Sequence, residues 1–130
     1  MIKKAYKIVE CRDGQLWFLY HGLNKSRIIP TGKWLKADKR TARDGGGSRW
    51  YKSGFHVFLT ADSAYRYFQR YFTRSNRPLI LISVAAANPR HKPGNTSVML
   101  ADEIFVLTKD KDFNCARNEH IKEEIVQKLH

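Results

Sequence analysis

Acidic residues, cysteines and long apolar runs are what this 130-residue sequence has least of. Cys11 and Cys115 are the only two cysteines, far apart and in unlike contexts, so neither a disulfide framework nor a zinc site is indicated. A single bridge stays open, with Cys11 read as a buried small hydrophobe. The longest apolar run, 79–87 with Ser83 inside it, falls far short of the roughly 20 residues a membrane span requires. Residues 1–6 carry charge but lead into no hydrophobic stretch or small-residue cleavage site, so a cytoplasmic protein without a membrane partner is expected. No internal repeat is visible. Thr31-Gly32-Lys33 is not a phosphate-binding P-loop, because the upstream glycine is missing and Trp34 replaces Ser or Thr.

The shortage of acid carries the most information. Lys and Arg number 24 against 12 Asp and Glu, a formal net charge of +12 with a pI near 10.0. Residues 1–92 hold 19 basic and 5 acidic side chains, while residues 93–130 hold 5 and 7. Self-repulsion of this size does nothing for a fold, and it exceeds the net charge of roughly 2–8 that solubility asks of a small domain. A polyanionic partner is the stronger explanation.

An apolar fraction of 42 % with seven Phe, six Tyr and three Trp belongs to a folded chain, and the length fits a single domain over 1–130. Residues 5–10 alternate as a strand, Asp13-Gly14 supplies a type I′ turn, and 16–21 returns with two apolar faces, which predicts a central strand. Residues 24–52 are strongly basic and contain Gly45-Gly46-Gly47. They predict a short ordered piece over 28–35 and a flexible basic loop over about 36–49. Residues 54–59 read as a strand, and Thr60 as the N-cap of a helix running to about residue 73. Its core face is Ala61, Ala64, Tyr65, Phe68 and Phe72, with Asp62 offsetting the helix dipole. A strand over 79–87, a loop over 88–96 and a strand over 98–107 interrupted near Ala101-Asp102 follow. A turn over 110–114 leads into a terminal helix with Ile121, Ile125, Val126 and Leu129 on its apolar face. The fold class is α+β: a mostly antiparallel sheet of about five strands, one central helix and a C-terminal helix.

Two constellations point to an anionic partner. Arg66, Arg70 and Arg74 stand at i, i+4 and i+8, one row opposite the helix core face, flanked by Tyr67 and Tyr71. Guanidinium groups grip phosphate oxygens in bidentate fashion and tyrosine rings stack on bases or sugars. No acid interrupts residues 64–78, whereas an ordinary solvated face mixes signs. The basic loop supplies Lys36, Lys39, Arg40, Arg43, Arg49 and Lys52, with Trp50 and Tyr51 interleaved as in recognition of single strands. His21, His56 and His91 show no metal-ligand spacing, so no metal is expected.

The string Tyr51-Lys52-Ser53-Gly54-Phe55-His56-Val57-Phe58 precedes an Ala/Tyr-rich helix, and Leu100-Ala101-Asp102-Glu103-Ile104-Phe105-Val106 follows later. Over roughly residues 4–107 this resembles a group of small uncharacterised proteins of bacteriophages and bacteria, which implies an accessory or host- and defence-inhibitory setting. The order of elements is also similar to a minimal ADP-ribosyltransferase fold. That resemblance implies NAD as cofactor, with His21-Gly22 orienting it, the strand over 54–58 leading into the helix, and Glu103 stabilising the oxocarbenium-like transition state. The family's stacking tyrosine is displaced here, since His56 or Val57 fills its place and Tyr51 would need a different geometry. The primary reading is a non-catalytic basic protein that binds a polyanion, nucleic acid foremost, and needs no cofactor. The alternatives are an NAD-using enzyme with His21, Tyr51 and Glu103 at its centre, and a binder of small anionic nucleotides.

Overall fold

The structure is a computed structural model and describes residues 1–19, 27–37, 41–43 and 50–107. Along the chain, β1 (Ile2–Arg12) and β2 (Gln15–Trp17) form the expected hairpin. Asp13 and Gly14 both take positive φ, 54° and 71°, and Arg12 pairs with Gln15, as a two-residue type I′ turn demands. Next come β3 (Trp34–Lys36), β4 (Thr41–Arg43), β5 (Trp50–Lys52) and β6 (Phe55–Val57). Helix α1 (Ala61–Phe72) precedes β7 (Leu79–Ala87), β8 (Arg90–Lys92), β9 (Asn95–Ala101) and β10 (Glu103–Val106).

All strand pairs among the described residues are antiparallel. The larger sheet has the order β2-β1-β7-β10-β3, and its centre is the long β1–β7 pair, in register from Ile2↔Ala87 to Glu10↔Leu79. A second sheet has the order β6-β9-β8, and β4 with β5 forms a separate ribbon. The α+β class holds, with more and shorter strands than the five expected and α1 the one helix among the described residues.

Three expectations are corrected. The strand after the first turn lies at the sheet edge, not its centre. Its apolar residues are covered locally: the Phe18 ring stacks on Phe55 at 5.6 Å, and Ile29 N–H donates to Leu16 O at 2.8 Å. The basic segment 36–49 is not a loop throughout, because Lys36 ends β3 and Thr41–Arg43 pairs with Trp50–Lys52; its glycines lie outside the described residues. Residues 88–96 are largely a hairpin, since Pro93-Gly94 supplies only the turn (Gly94 φ 79°) and His91 pairs with Met99. Cys11 is fully buried as expected and is disulfide-bonded, the single bridge that the sequence had left open; Cys115 lies outside the described residues.

The break expected near residues 101–102 is a change of sheet. At Asp102 the chain leaves β9 in the smaller sheet and enters β10 in the larger. Gly54 makes the adjoining contact possible: a Cβ there would lie 2.9 Å from Ala101 O, closer than real Cβ atoms come. The Thr60 hydroxyl accepts from Ser63 N–H at 3.1 Å and caps α1, whose Ala64, Phe68 and Phe72 are buried against the core, with β1 and β9 as neighbours. Ala61 and Tyr65, expected on that face, are only half-buried. The expected terminal helix and its preceding turn lie outside the described residues. No helix among the described residues is long and apolar enough to cross a membrane.

Candidate anion-binding surface and a buried lysine

Helix periodicity that buries Ala64, Phe68 and Phe72 forces Arg66 and Arg70 to the opposite side, and both are exposed. Arg74 is exposed too, but α1 ends at Phe72 with Thr73 as C-cap, so Arg74 continues the row from the turn and not from the helix. None of the three joins an ion pair among the described residues. The Arg70 guanidinium lies over the Tyr71 ring at 5.4 Å, and Tyr71 is itself exposed. Tyr67 is half-buried, with ring centroids 5.1 Å from Phe58 and 6.0 Å from Phe72, so its aromatic surface is largely used inside the protein.

The rest of the basic segment divides. Lys36 is exposed at the end of β3, where Glu103 is its cross-strand partner. Lys52 is exposed, and its Nζ lies 3.8 Å from Asp102. Asp102 also pairs with Arg90 at 2.5 Å, while Arg90 donates to the carbonyl oxygens of Lys52 and Ser53. Lys36, Lys52, Asn88, Asp102 and Glu103 border one cleft of about 210 Å³, in which two carboxylates offset two lysines. Arg43 occupies β4 opposite Trp50. Lys39, Arg40 and Arg49 lie outside the described residues.

Of the residues proposed for NAD chemistry, His21 lies outside the described residues, and the Tyr51 backbone runs in β5 opposite Ala42. Glu103 faces the cleft just described, whereas His56 lines a different one. The described residues thus place His56 and Glu103 in separate clefts. Among them, no group of three His, Cys, Asp or Glu side chains could hold a metal ion.

Two charged side chains that sequence reasoning passed over are buried on β1. Glu10 is 5 % exposed and gathers three guanidiniums: Arg77 Nε at 2.9 Å, Arg12 Nε at 3.0 Å and Arg27 Nη2 at 3.3 Å. Burial alone raises its pKa, but the Arg77 hydrogen bond and the charges of Arg77, Arg12 and Arg27 outweigh that and hold it below the usual carboxylate range. Arg77 Nη2 also donates to Leu19 O and Arg27 Nε to Phe18 O, so this cluster ties β1 to the segments around it. These arginines are structural.

Among the described residues Lys7 has no such compensation. It is 7 % exposed, and its Nζ donates to a single acceptor, the His56 carbonyl oxygen, at 2.8 Å. The rings of Phe18 and Phe55 lie 5.6 and 5.9 Å from the ammonium, and no carboxylate pairs with it among the described residues. Alternation along β1 explains why: Lys7 and Glu10 are three residues apart and point to opposite faces. Desolvation lowers the Lys7 pKa from 10.5 to about 8. Burying an ammonium costs several kcal/mol, of which one neutral hydrogen bond and weak ring contacts return a part. Lys7 borders a cleft of about 130 Å³ whose other walls include Phe18, Phe55, Phe58 and Tyr67. The signal available in the sequence was a lysine at a position that alternates with Ala5 and Val9, both buried.

No family model, curated protein or solved structure matches this chain.

Proposed function

We propose that the protein binds a polyanion, nucleic acid foremost, and that Arg66, Arg70 and Arg74 are the centre of the contact. The observation that carries this reading is that all three are exposed and free of ion pairs among the described residues, on a stretch without acid from residue 64 to 78. Every other arginine in an ion pair here is engaged with Glu10 or Asp102, so the row on α1 is the arginine cluster with its charge unspent among the described residues. Two guanidiniums on the exposed side of α1 and a third from the turn beyond it form a row suited to bidentate contact with phosphates. Tyr71, exposed beside Arg70, supplies a ring for a base or sugar. Lys36 and Lys52 extend the basic surface but sit beside Asp102 and Glu103, which weakens their share.

The contact is one of binding without catalysis. An accessory or host- and defence-inhibitory role of the kind found in phages rests on the sequence resemblance around residues 51–58 and 100–106. Arg66→Ala, Arg70→Ala and Arg74→Ala are each expected to weaken binding to a mixed-sequence oligonucleotide, measured by fluorescence anisotropy at fixed salt. Stability is expected to stay within about 0.5 kcal/mol of wild type, as for exposed substitutions that break no buried contact. Variants that unfold, or that bind as tightly as wild type, contradict the proposal.

A further inference from the structure

The cleft at Lys7 has features that oligonucleotide binding by α1 does not use. Lys7 as a residue is only 7 % exposed, and its ammonium has three N–H donors, one of which is satisfied by His56 O. The remaining donors face aromatic rings and the cleft, with no carboxylate of the protein to receive them among the described residues. Buried charges in proteins are paired, and among the described residues Lys7 has no carboxylate partner while space for one is present.

We propose that this cleft is a binding site for a small aromatic carboxylate, with the carboxylate on Lys7 Nζ and the ring against Phe18, Phe55, Phe58 and Tyr67. Three features fix that class. One negative charge balances one ammonium, whereas a phosphate dianion would leave excess charge in an apolar cleft. The walls are mostly aromatic or aliphatic, which favours a ring in offset or edge-to-face contact. The volume, about 130 Å³, is close to the roughly 150 Å³ of a cavity known to take benzene. With a pKa of about 8, Lys7 remains mainly an ammonium at neutral pH and is available to the anion.

Lysine here is a poor choice for stability and a good one for binding. Lys7→Met keeps most of the length of the side chain and removes the charge, so the variant is expected to be at least as stable as wild type while losing the ligand. Benzoate serves as the probe, benzyl alcohol as its uncharged counterpart. Nuclear magnetic resonance of the full chain with labelled lysine side chains is expected to show saturable benzoate-dependent movement of the Lys7 signal, and a melting temperature that rises with benzoate. Benzyl alcohol is expected to bind at least tenfold more weakly, and the Arg66/Arg70/Arg74→Ala triple variant to bind benzoate as wild type does. That last arm separates this proposal from the oligonucleotide one. The proposal is overturned if the Lys7 signal does not move at benzoate concentrations up to roughly 10 mM, a generous limit for a ligand of this size. It is equally overturned if Lys7→Met takes benzoate unchanged, or if benzyl alcohol binds as well.

Discussion

Residues 7 and 10 of one strand pose the same electrostatic problem with opposite outcomes. Glu10 is surrounded by Arg12, Arg27 and Arg77, and the guanidiniums more than offset its loss of water. Lys7 loses as much water and receives one carbonyl oxygen. Stability should therefore depend on alkaline pH through Lys7. With its pKa about 8 in the folded state against 10.5 unfolded, the unfolded chain holds more protons between those values. Stability then rises with pH across that window, and the penalty of the buried charge is fully present below it. A shift of this size corresponds to about 3 kcal/mol. His56 and Tyr67 also line the cleft, so the comparison is with Lys7→Met, which keeps both. Denaturant unfolding from pH 7 to 10.5 is expected to show wild type gaining on the variant by that amount; parallel curves would mean that Lys7 is solvated. Neither side chain's situation is legible in the sequence, because whether an inward charge finds a partner depends on residues 27 and 77, brought in by tertiary contacts.

Elements held up where a local rule decided them. The Asp13-Gly14 turn, the Thr60 cap and the strand over 79–87 are each dictated by a few neighbouring residues, and the structure has them. What the sequence could not convey is which strand neighbours which. The apolar faces of residues 16–18 suggested a central strand, but an edge strand covered by Phe55 and by residues 27–29 buries the same side chains. The 88–96 segment looked like a loop because Pro and Gly signal a turn without saying how much strand flanks it. On the candidate surface, Arg66 and Arg70 follow from helix period alone, while Arg74 falls beyond the helix end. Gly54 tests the element scale. Its close approach to Ala101 joins β6 to β9 just before the chain changes sheet, and Gly54→Ala forces a Cβ against a backbone oxygen. A loss of about 1–3 kcal/mol in chemical denaturation is expected, as for other overpacked sites. A loss below the error of the measurement would mean that β6 and β9 are not held this closely.

Across the whole molecule the charge is uneven in kind as well as amount. Arg12, Arg27, Arg77 and Arg90 are consumed in holding segments together, and Lys7 is enclosed. The row on α1 is what remains with exposed, unpaired guanidiniums among the described residues. On the proposed reading, a net charge of +12 would give the long-range attraction and the row a place for it to act. The most direct measurement is the salt dependence of oligonucleotide affinity for wild type and for the Arg66/Arg70/Arg74→Ala triple variant. Each phosphate neutralised contributes about −0.7 to −0.9 to the slope of log K against log salt, so roughly six contacts give a slope near −4 to −5. Removing three of them is expected to bring the slope to about half of the wild-type value, with the fold intact. An affinity indifferent to salt, or a slope unchanged in the triple variant, would contradict the account.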